Sequence, residues 1–367
     1  MRRLSEVEPG TDNNFNLLRL VAASGVLVSH AYPIALGPEA QQPLERMLGM
    51  TLGHLCVLIF FCVSGFFITR SFDRCRSLPR FLEARALRVF PALAAMLVAT
   101  VAVCGLWLTR APAASFWEAA PPYVLRNISL FSPEYELPGV FGDAAYGPAI
   151  NGSLWTLFYE VLCYLGVALL GVTGLLAPGR RGRICGVVIV LGCAAAVVLA
   201  GLRPGLLPMR LERLADLGLP FAIGGLFYLA RQSVVLHLGV AALGLAASLA
   251  MLAGPWGTPL FAPVFAAALC YAVLTLGYAP IPLLRAYTRV GDYSYGIYIF
   301  AFPLQQLGAE LGYRLPLANM LFAAPVTLIC AILSWHLIEK PALSLKQGRP
   351  ALPPSPGHAA RAEASRE

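Results

Sequence analysis

Apolar positions fall in long blocks along this chain, and polar positions are confined to the joints between them. The first block follows the polar leader MRRLSEVEPGTDNN and covers 15–36. Nine more lie at 49–70, 88–109, 153–176, 184–203, 211–230, 234–253, 260–279, 291–311 and 317–339. Each approaches the roughly 20 apolar residues that a helix needs to cross a bilayer. The pattern predicts an all-α polytopic integral membrane protein with about ten transmembrane helices. An even number of crossings puts both termini on one side. The least regular joint is that between 203 and 211, where Pro204, Pro208 and several charges crowd together. Arg19 and His30 interrupt the first block and no clear small-residue cleavage site follows it, so it is expected to be retained rather than removed as a signal peptide.

Two segments stand apart from this pattern. In 71–88, Phe81, Leu82 and Leu87 alternate with arginines, as in a helix lying in the membrane interface. The stretch 110–152 is rich in proline and carries Trp117, Tyr123, Phe131, Tyr135 and Tyr146. It suits either a lid over a site or an aromatic belt at the membrane surface. After Pro341 the chain turns to Pro, Ala and charge. That divides it into a transmembrane domain, 1–341, and a tail, 342–367, expected to be disordered.

Composition narrows the function classes. Hydrophobic residues make up 58% and charged residues 13%, against about a quarter charged in a soluble domain. Lipid is the main solvent, which sets aside a soluble enzyme and a disordered protein. The net charge of +8 does not point to nucleic acid, because the basic residues are scattered between apolar runs. Of the 27 Lys and Arg, nineteen fall on the side of the amino terminus, seven on the other, and Arg19 lies within a span. By the positive-inside rule both termini are cytoplasmic. Nine cysteines include no C-x-x-C pair, and all but Cys75 sit in apolar runs. They read as inert buried thiols, with neither a disulfide framework nor a metal site expected.

Ionisable groups within spans are costly and each needs a reason. Arg19 and His30 are eleven residues apart. At about 100° per residue they share one stripe of the first helix, roughly 16 Å apart along its axis. Two unrelated residues snorkelling from helix ends is the plainer alternative. Ser153, Thr156 and Glu160 share a face of the fourth span. Glu160 lies about as deep as His30, so an imidazole–carboxylate contact is one reading of it and a structural salt bridge the other. His54 is a second candidate base, ranked below His30 because it lacks the arginine register. Ser64 and Gly65, within F-F-C-V-S-G-F-F, let another helix or a slim ligand approach closely. His237, His336 and His358 are read as non-catalytic. Arg85 and Arg88 offer two guanidinium forks on one face, suited to a phosphate-bearing ligand or to anionic lipid. Glu339 is expected at the end of a helix stopped by Pro341, where the dipole disfavours it. It therefore needs a cation, Arg19 or the Arg85/Arg88 pair. Tyr295 and Tyr298 share a face near that same end.

Taken in order, these pieces resemble the membrane-bound acyltransferase 3 family, the O-antigen and Nod-factor acetylase type. They are Arg19 with ten residues before His30, FFCVSGFFI at 60–68, Arg85-x-x-Arg88 with Pro91 behind it, Ser153-Leu-Trp-Thr-Leu with Glu160, Ser294-Tyr-Gly-Ile-Tyr, and Glu339-Lys-Pro. They cover 15–341. The resemblance implies transfer of an acyl group, usually acetyl, from cytoplasmic acyl-CoA to a sugar hydroxyl on the far side of the inner membrane. On that footing Arg85 and Arg88 hold the CoA phosphates, with Arg19, Ser64, Tyr295 and Glu339 around the donor. His30 and Glu160 then serve the catalysis. Relatives commonly carry a histidine shortly after the Ser294–Tyr298 piece. Ile299, Phe300 and Ala301 stand there instead, which speaks against a role for that span in the chemistry. Some relatives carry an extra carboxy-terminal hydrolase-like domain, and none is expected here.

A thioester is already activated, so the expected chemistry needs a base and no metal. His30 either deprotonates the acceptor hydroxyl or takes the acyl group itself as an acyl-imidazole. The expected partners are acyl-CoA, a glycan or glycolipid acceptor and membrane lipid, with no nucleic acid. A second copy of the chain or a glycan-assembly protein stays open as a further partner. The rival reading is a transporter or flippase of an anionic glycolipid, with Arg19 and Glu339 as pathway charges.

Overall fold

The structure, a computed structural model, describes residues 2–8, 13–75, 77–177, 179–253, 257–281, 287 and 291–345. The tail from 346 onward, with Lys346, His358 and the last arginines, lies outside the described residues, as do Arg76, Arg285 and Arg289.

In chain order, strand β1 (Arg2–Arg3) and the single turn α1 (Leu4–Val7) precede the first long helix, α2 (Phe15–Leu36). A short α3 (Glu45–Leu48) leads into α4 (Leu52–Cys75) and α5 (Leu78–Val103). The latter is extended by a π-helical turn, Cys104–Leu108. Next come α6 (Ala113–Ser129), α7 (Trp155–Val172), α8 (Arg180–Leu202) and α9 (Met209–Leu229). Strand β2 (Val235–Leu236) pairs antiparallel with β1, and α10 (Leu238–Ala250) follows it. The chain closes with α11 (Gly257–Gly277), α12 (Ser294–Glu310), α13 (Pro316–Ser334), a second π-helical turn at Trp335–Glu339, and α14 (Lys340–Ser344).

Seven described helices are long and apolar enough to cross a membrane, the architecture of a multi-pass membrane protein. They are 15–36, 52–75, 78–108, 155–172, 180–202, 259–277 and 316–344. Three expected spans fall short of that measure for separate reasons. The first two turns of α9 carry Arg210, Glu212, Arg213 and Asp216. Helix α10 has 13 residues before a 3₁₀ turn, and α12 has 17. Helix α8 exposes Val187, Val188, Leu191 and Leu199 along one broad apolar face, as lipid contact requires.

The expected interfacial helix at 71–88 is not a separate element. Helix α4 runs on to Cys75, and α5 starts at Leu78 and continues through Arg85 and Arg88 into the apolar run. A hydropathy window penalises those arginines, but the helix turns them inward, where they find partners or a cavity. The end of the chain differs likewise. Pro341 does not stop the last helix. The π-helical turn precedes it, and Pro341 takes the opening turn of α14, where no intrahelical amide is needed. Residues 342–344, assigned to the tail from sequence, are thus helical, and Ala342 is buried.

Helix α4 is the centre of the bundle, packed against α2, α7, α9 and α11. Its contact with α9 is backbone to backbone. A Cβ on Gly65 would overlap the carbonyl of Phe221, and one on Gly224 would overlap the carbonyl of Cys62. The 110–152 segment folds as a packed cap. Phe116, Tyr123, Leu137, Val140 and Ile150 are buried, whereas Trp117 and Phe131 are exposed in the manner of a belt.

Candidate active site: two cavities that share a wall

One stripe of each of five helices builds the site. Helix α2 contributes Arg19 and, three turns on, His30. Helix α4 contributes His54, Val57 and Ser64. The turn before α7 and its first two turns bring Ser153, Thr156 and Glu160, and α12 brings Ser294, Tyr295 and Tyr298. Helix α5 adds Arg85 and Arg88. These residues line two cavities.

The first cavity, about 190 Å³, is bordered by Arg19, Arg85, Arg88, Ser64, Glu160, Tyr164 and Tyr295. Its charges are arranged as a network. Arg88 donates to Asp292 Oδ2 at 2.6 Å and to Glu339 Oε2 at 3.0 Å, and Arg19 reaches the same Asp292 oxygen at 3.4 Å. Glu339 also accepts from Ser334 Oγ at 3.0 Å. Glu339 is not a terminal carboxylate facing a helix dipole, because the π-helical turn carries the helix onward and aims this side chain at Arg88. Glu160 accepts from Tyr164, one turn along, and from Ser64 Oγ at 3.2 Å. Tyr295 donates to the Val89 carbonyl at 2.8 Å, with Arg88 over its ring. Arg85 stands apart. Among the described residues it makes no ion pair, and its Nε is buried without a hydrogen-bond partner. Arg85 and Arg88 are therefore not an equivalent pair. One is held by two carboxylates, and the other is free to meet a ligand anion.

The second cavity, about 270 Å³, is lined by His30, His54, Gln42, Thr51, Tyr146, Ser153, Trp155 and Phe302, among others. Among the described residues no carboxylate lines it. The His30 ring meets Phe302 edge-on at 5.3 Å, and its Nδ1 is buried without a partner, as is Ser153 Oγ. His54 Nε2 lies 3.4 Å from Asp216 Oδ2 on α9. Tyr146 brings the 110–152 cap to the rim of this cavity.

Three side chains, Val57, Thr156 and Tyr298, belong to both cavities. This wall explains why the contact expected between His30 and Glu160 is not formed. Thr156 is already in the wall, and Glu160, about one turn further along α7, falls on the arginine side. The shared stripe of Arg19 and His30 does hold, with one residue in each cavity. Sequence reasoning missed four residues here: Asp292, Asp216, Tyr164 and Gln42. Tyr164 was accessible from its i+4 spacing to Glu160. Asp292 stands two residues before the Ser294–Tyr298 piece, but its partners Arg19 and Arg88 are 273 and 204 residues away.

The family model described as an acyltransferase domain matches residues 12–336. The O-acetyl transferase of Shigella phage Sf6 is 29% identical over 341 residues, covering 89% of this chain and 95% of that protein. Nodulation protein 10 of Rhizobium leguminosarum bv. viciae is 30% identical over 378 residues, covering 93% and 96%. Acyltransferase MdmB of Streptomyces mycarofaciens is 25% identical over 331 residues, covering 81% of each. No solved structure matches the chain. With nearly its whole length matched, the chain belongs to the membrane-bound acyltransferase 3 family and is an acyltransferase.

Proposed function

We propose that this protein is an O-acyltransferase of the inner membrane, crossing it about ten times with both termini in the cytoplasm. It moves an acyl group, acetyl by preference, from cytoplasmic acyl-CoA to a hydroxyl of a periplasmic or cell-surface glycan. The observation that carries this reading is the pair of cavities back to back, one lined by three arginines and the other by an unpartnered imidazole.

The arginine cavity suits the donor. Its volume is below the ~300 Å³ at the lower end of small-molecule sites. It therefore takes the acyl-bearing arm, while the nucleotide stays at the mouth. Arg85, with its buried and unpartnered Nε, meets a phosphate there by charge-assisted hydrogen bonds. Arg88 is a positioning residue, since Asp292 and Glu339 already occupy it. In the histidine cavity, His30 takes the proton of the acceptor hydroxyl as the oxygen attacks the thioester carbonyl. The carbon–sulfur bond breaks, and the CoA thiolate leaves and is protonated. Base catalysis of this kind is worth about 10²–10⁴ in rate. The acyl-imidazole route uses the same residue as nucleophile instead.

A second reading of the base has one observation in its favour. His54 lines the same cavity and has a carboxylate, Asp216, to orient it, as histidine bases commonly do.

The test is incubation of purified protein in nanodiscs with labelled acetyl-CoA and bacterial surface glycan. Label appearing in glycan, with release of free CoA thiol, is the expected result. A flippase would neither bind nor consume the donor, and that outcome would move the arginines and Glu339 to a transport path.

A further inference from the structure

The wall between the cavities is a built object. Thr156 and Tyr298 are both buried, and their hydroxyl oxygens stand 2.5 Å apart. Tyr298 donates to the Ser153 carbonyl at 3.0 Å. Thr156 Oγ1 also lies 3.3 Å from that carbonyl, so with one proton on each hydroxyl, one of the two donates to the other and the other donates to Ser153. The polar groups of the wall are thus satisfied by one another. On residues that line the cavities, Arg85 Nε on one side and His30 Nδ1 and Ser153 Oγ on the other are buried without a partner. Phe60 braces the Tyr298 ring edge-on at 5.9 Å. Val57 closes the remaining side with an aliphatic group that makes no hydrogen bond.

Val57, Thr156 and Tyr298 are the residues common to both cavities, so an acyl group passing from the arginines to His30 passes them. We propose that the wall is the gate of the transfer and its acyl-length filter. The hydrogen-bonded Thr156–Tyr298–Ser153 chain sets when the acyl group passes, and Val57 sets how large a group can pass. The inference rests on the two-cavity donor and acceptor reading above. A shut wall also protects the donor. If it opened without acceptor, water would add to the carbonyl in place of the sugar hydroxyl, and the products would be a free carboxylic acid and CoA thiol.

The experiment uses the full chain in nanodiscs with acetyl-CoA and butyryl-CoA as probes. Donor affinity, transfer to glycan and thiol release without acceptor are measured for each variant. Val57→Phe should fill the passage. It should keep donor affinity and lose about a hundredfold in transfer, the scale of a reacting group held an ångström out of place. Val57→Ala should raise the ratio of butyryl to acetyl transfer, a gain that a misfolded protein cannot show. Thr156→Val should raise thiol release in the absence of acceptor, because the latch loses one of its two hydroxyls. A parent protein that neither binds nor consumes acyl-CoA overturns the donor reading and the gate with it. If the parent is active, unchanged selectivity in Val57→Ala together with parental thiol release in Thr156→Val overturns the gate alone.

Discussion

In the arginine cavity the acids are engaged: Asp292 with Arg19 and Arg88, Glu339 with Arg88 and Ser334, Glu160 with Tyr164 and Ser64. Across the wall, among the described residues, no carboxylate lines the histidine cavity and His30 Nδ1 is left without a partner. The two regions share four helices at different depths, and α5 adds its arginines to the first alone. What separates them is how buried charge is settled. One side is a cross-braced network with a single uncommitted cation among the described residues. In the other, His54 stands against Asp216 while the His30 imidazole is left idle. The first arrangement suits holding a charged donor, and the second suits moving a proton.

The largest test of that contrast is His30→Ala. Loss of the idle base should cost about 10²–10⁴ in transfer rate while acyl-CoA affinity stays as in the parent, measured as label in glycan against donor binding in nanodiscs. The pH profile should agree in sign. An imidazolium cannot accept the hydroxyl proton, so transfer should fall as pH drops through the imidazole titration. If His54→Ala carries the loss instead, the base belongs to the Asp216 pair.

Next comes Arg88→Ala. Removing the central cation leaves the buried Glu339 without a cation and Asp292 with only the longer contact to Arg19, and breaking such pairs costs about 3–5 kcal/mol. The partial exposure of Arg88 puts the expectation at the lower end, read as a drop in unfolding temperature. Adding Glu339→Gln should recover part of it. A variant as stable as the parent would mean that the network is not a brace.

Arg85→Ala should do the reverse. Stability should hold, while acyl-CoA affinity falls by about 1.5–3 kcal/mol, the scale of a hydrogen bond to a charged group. Unchanged affinity would return Arg85 to lipid contact. The smallest expected effect is that of Tyr164→Phe, about 0.5–1.5 kcal/mol for one hydrogen bond to Glu160. It should appear in donor affinity, with acceptor KM unchanged. A shift confined to acceptor KM would show that Glu160 serves the other chamber after all.

Much of this was legible in the chain. The apolar blocks placed the long helices, and the eleven-residue step from Arg19 to His30 put one residue in each cavity. The need of Glu339 for a cation was plain from its setting, and Arg88 supplies it. Other features escaped for physical reasons. A window that counts charge cannot know that Arg85 and Arg88 face inward, so it cut α5 short and invented a surface helix. Proline rules ended the last helix at Pro341 because a π-helical turn has no sequence signature strong enough to anticipate. Asp292 and Asp216 were passed over because a carboxylate gains its meaning from cations or imidazoles that only tertiary packing brings near. The depth argument for Glu160 failed through a side-chain wall that no helical count contains.

The glycine contact between α4 and α9 constrains how the molecule can change shape. Where Gly65 meets the Phe221 carbonyl and Gly224 the Cys62 carbonyl, no side chain lies between the backbones to re-rotamer and absorb a slide. Cys270 on α11 adds to the lock, since its carbonyl takes the Cys62 thiol and its own thiol reaches the Pro220 carbonyl. Three helices from distant parts of the chain therefore act as a stator. Val57 is mounted on that stator, whereas Thr156 and Tyr298 ride on α7 and α12, so any stroke that parts them belongs to those two helices rocking against a fixed frame.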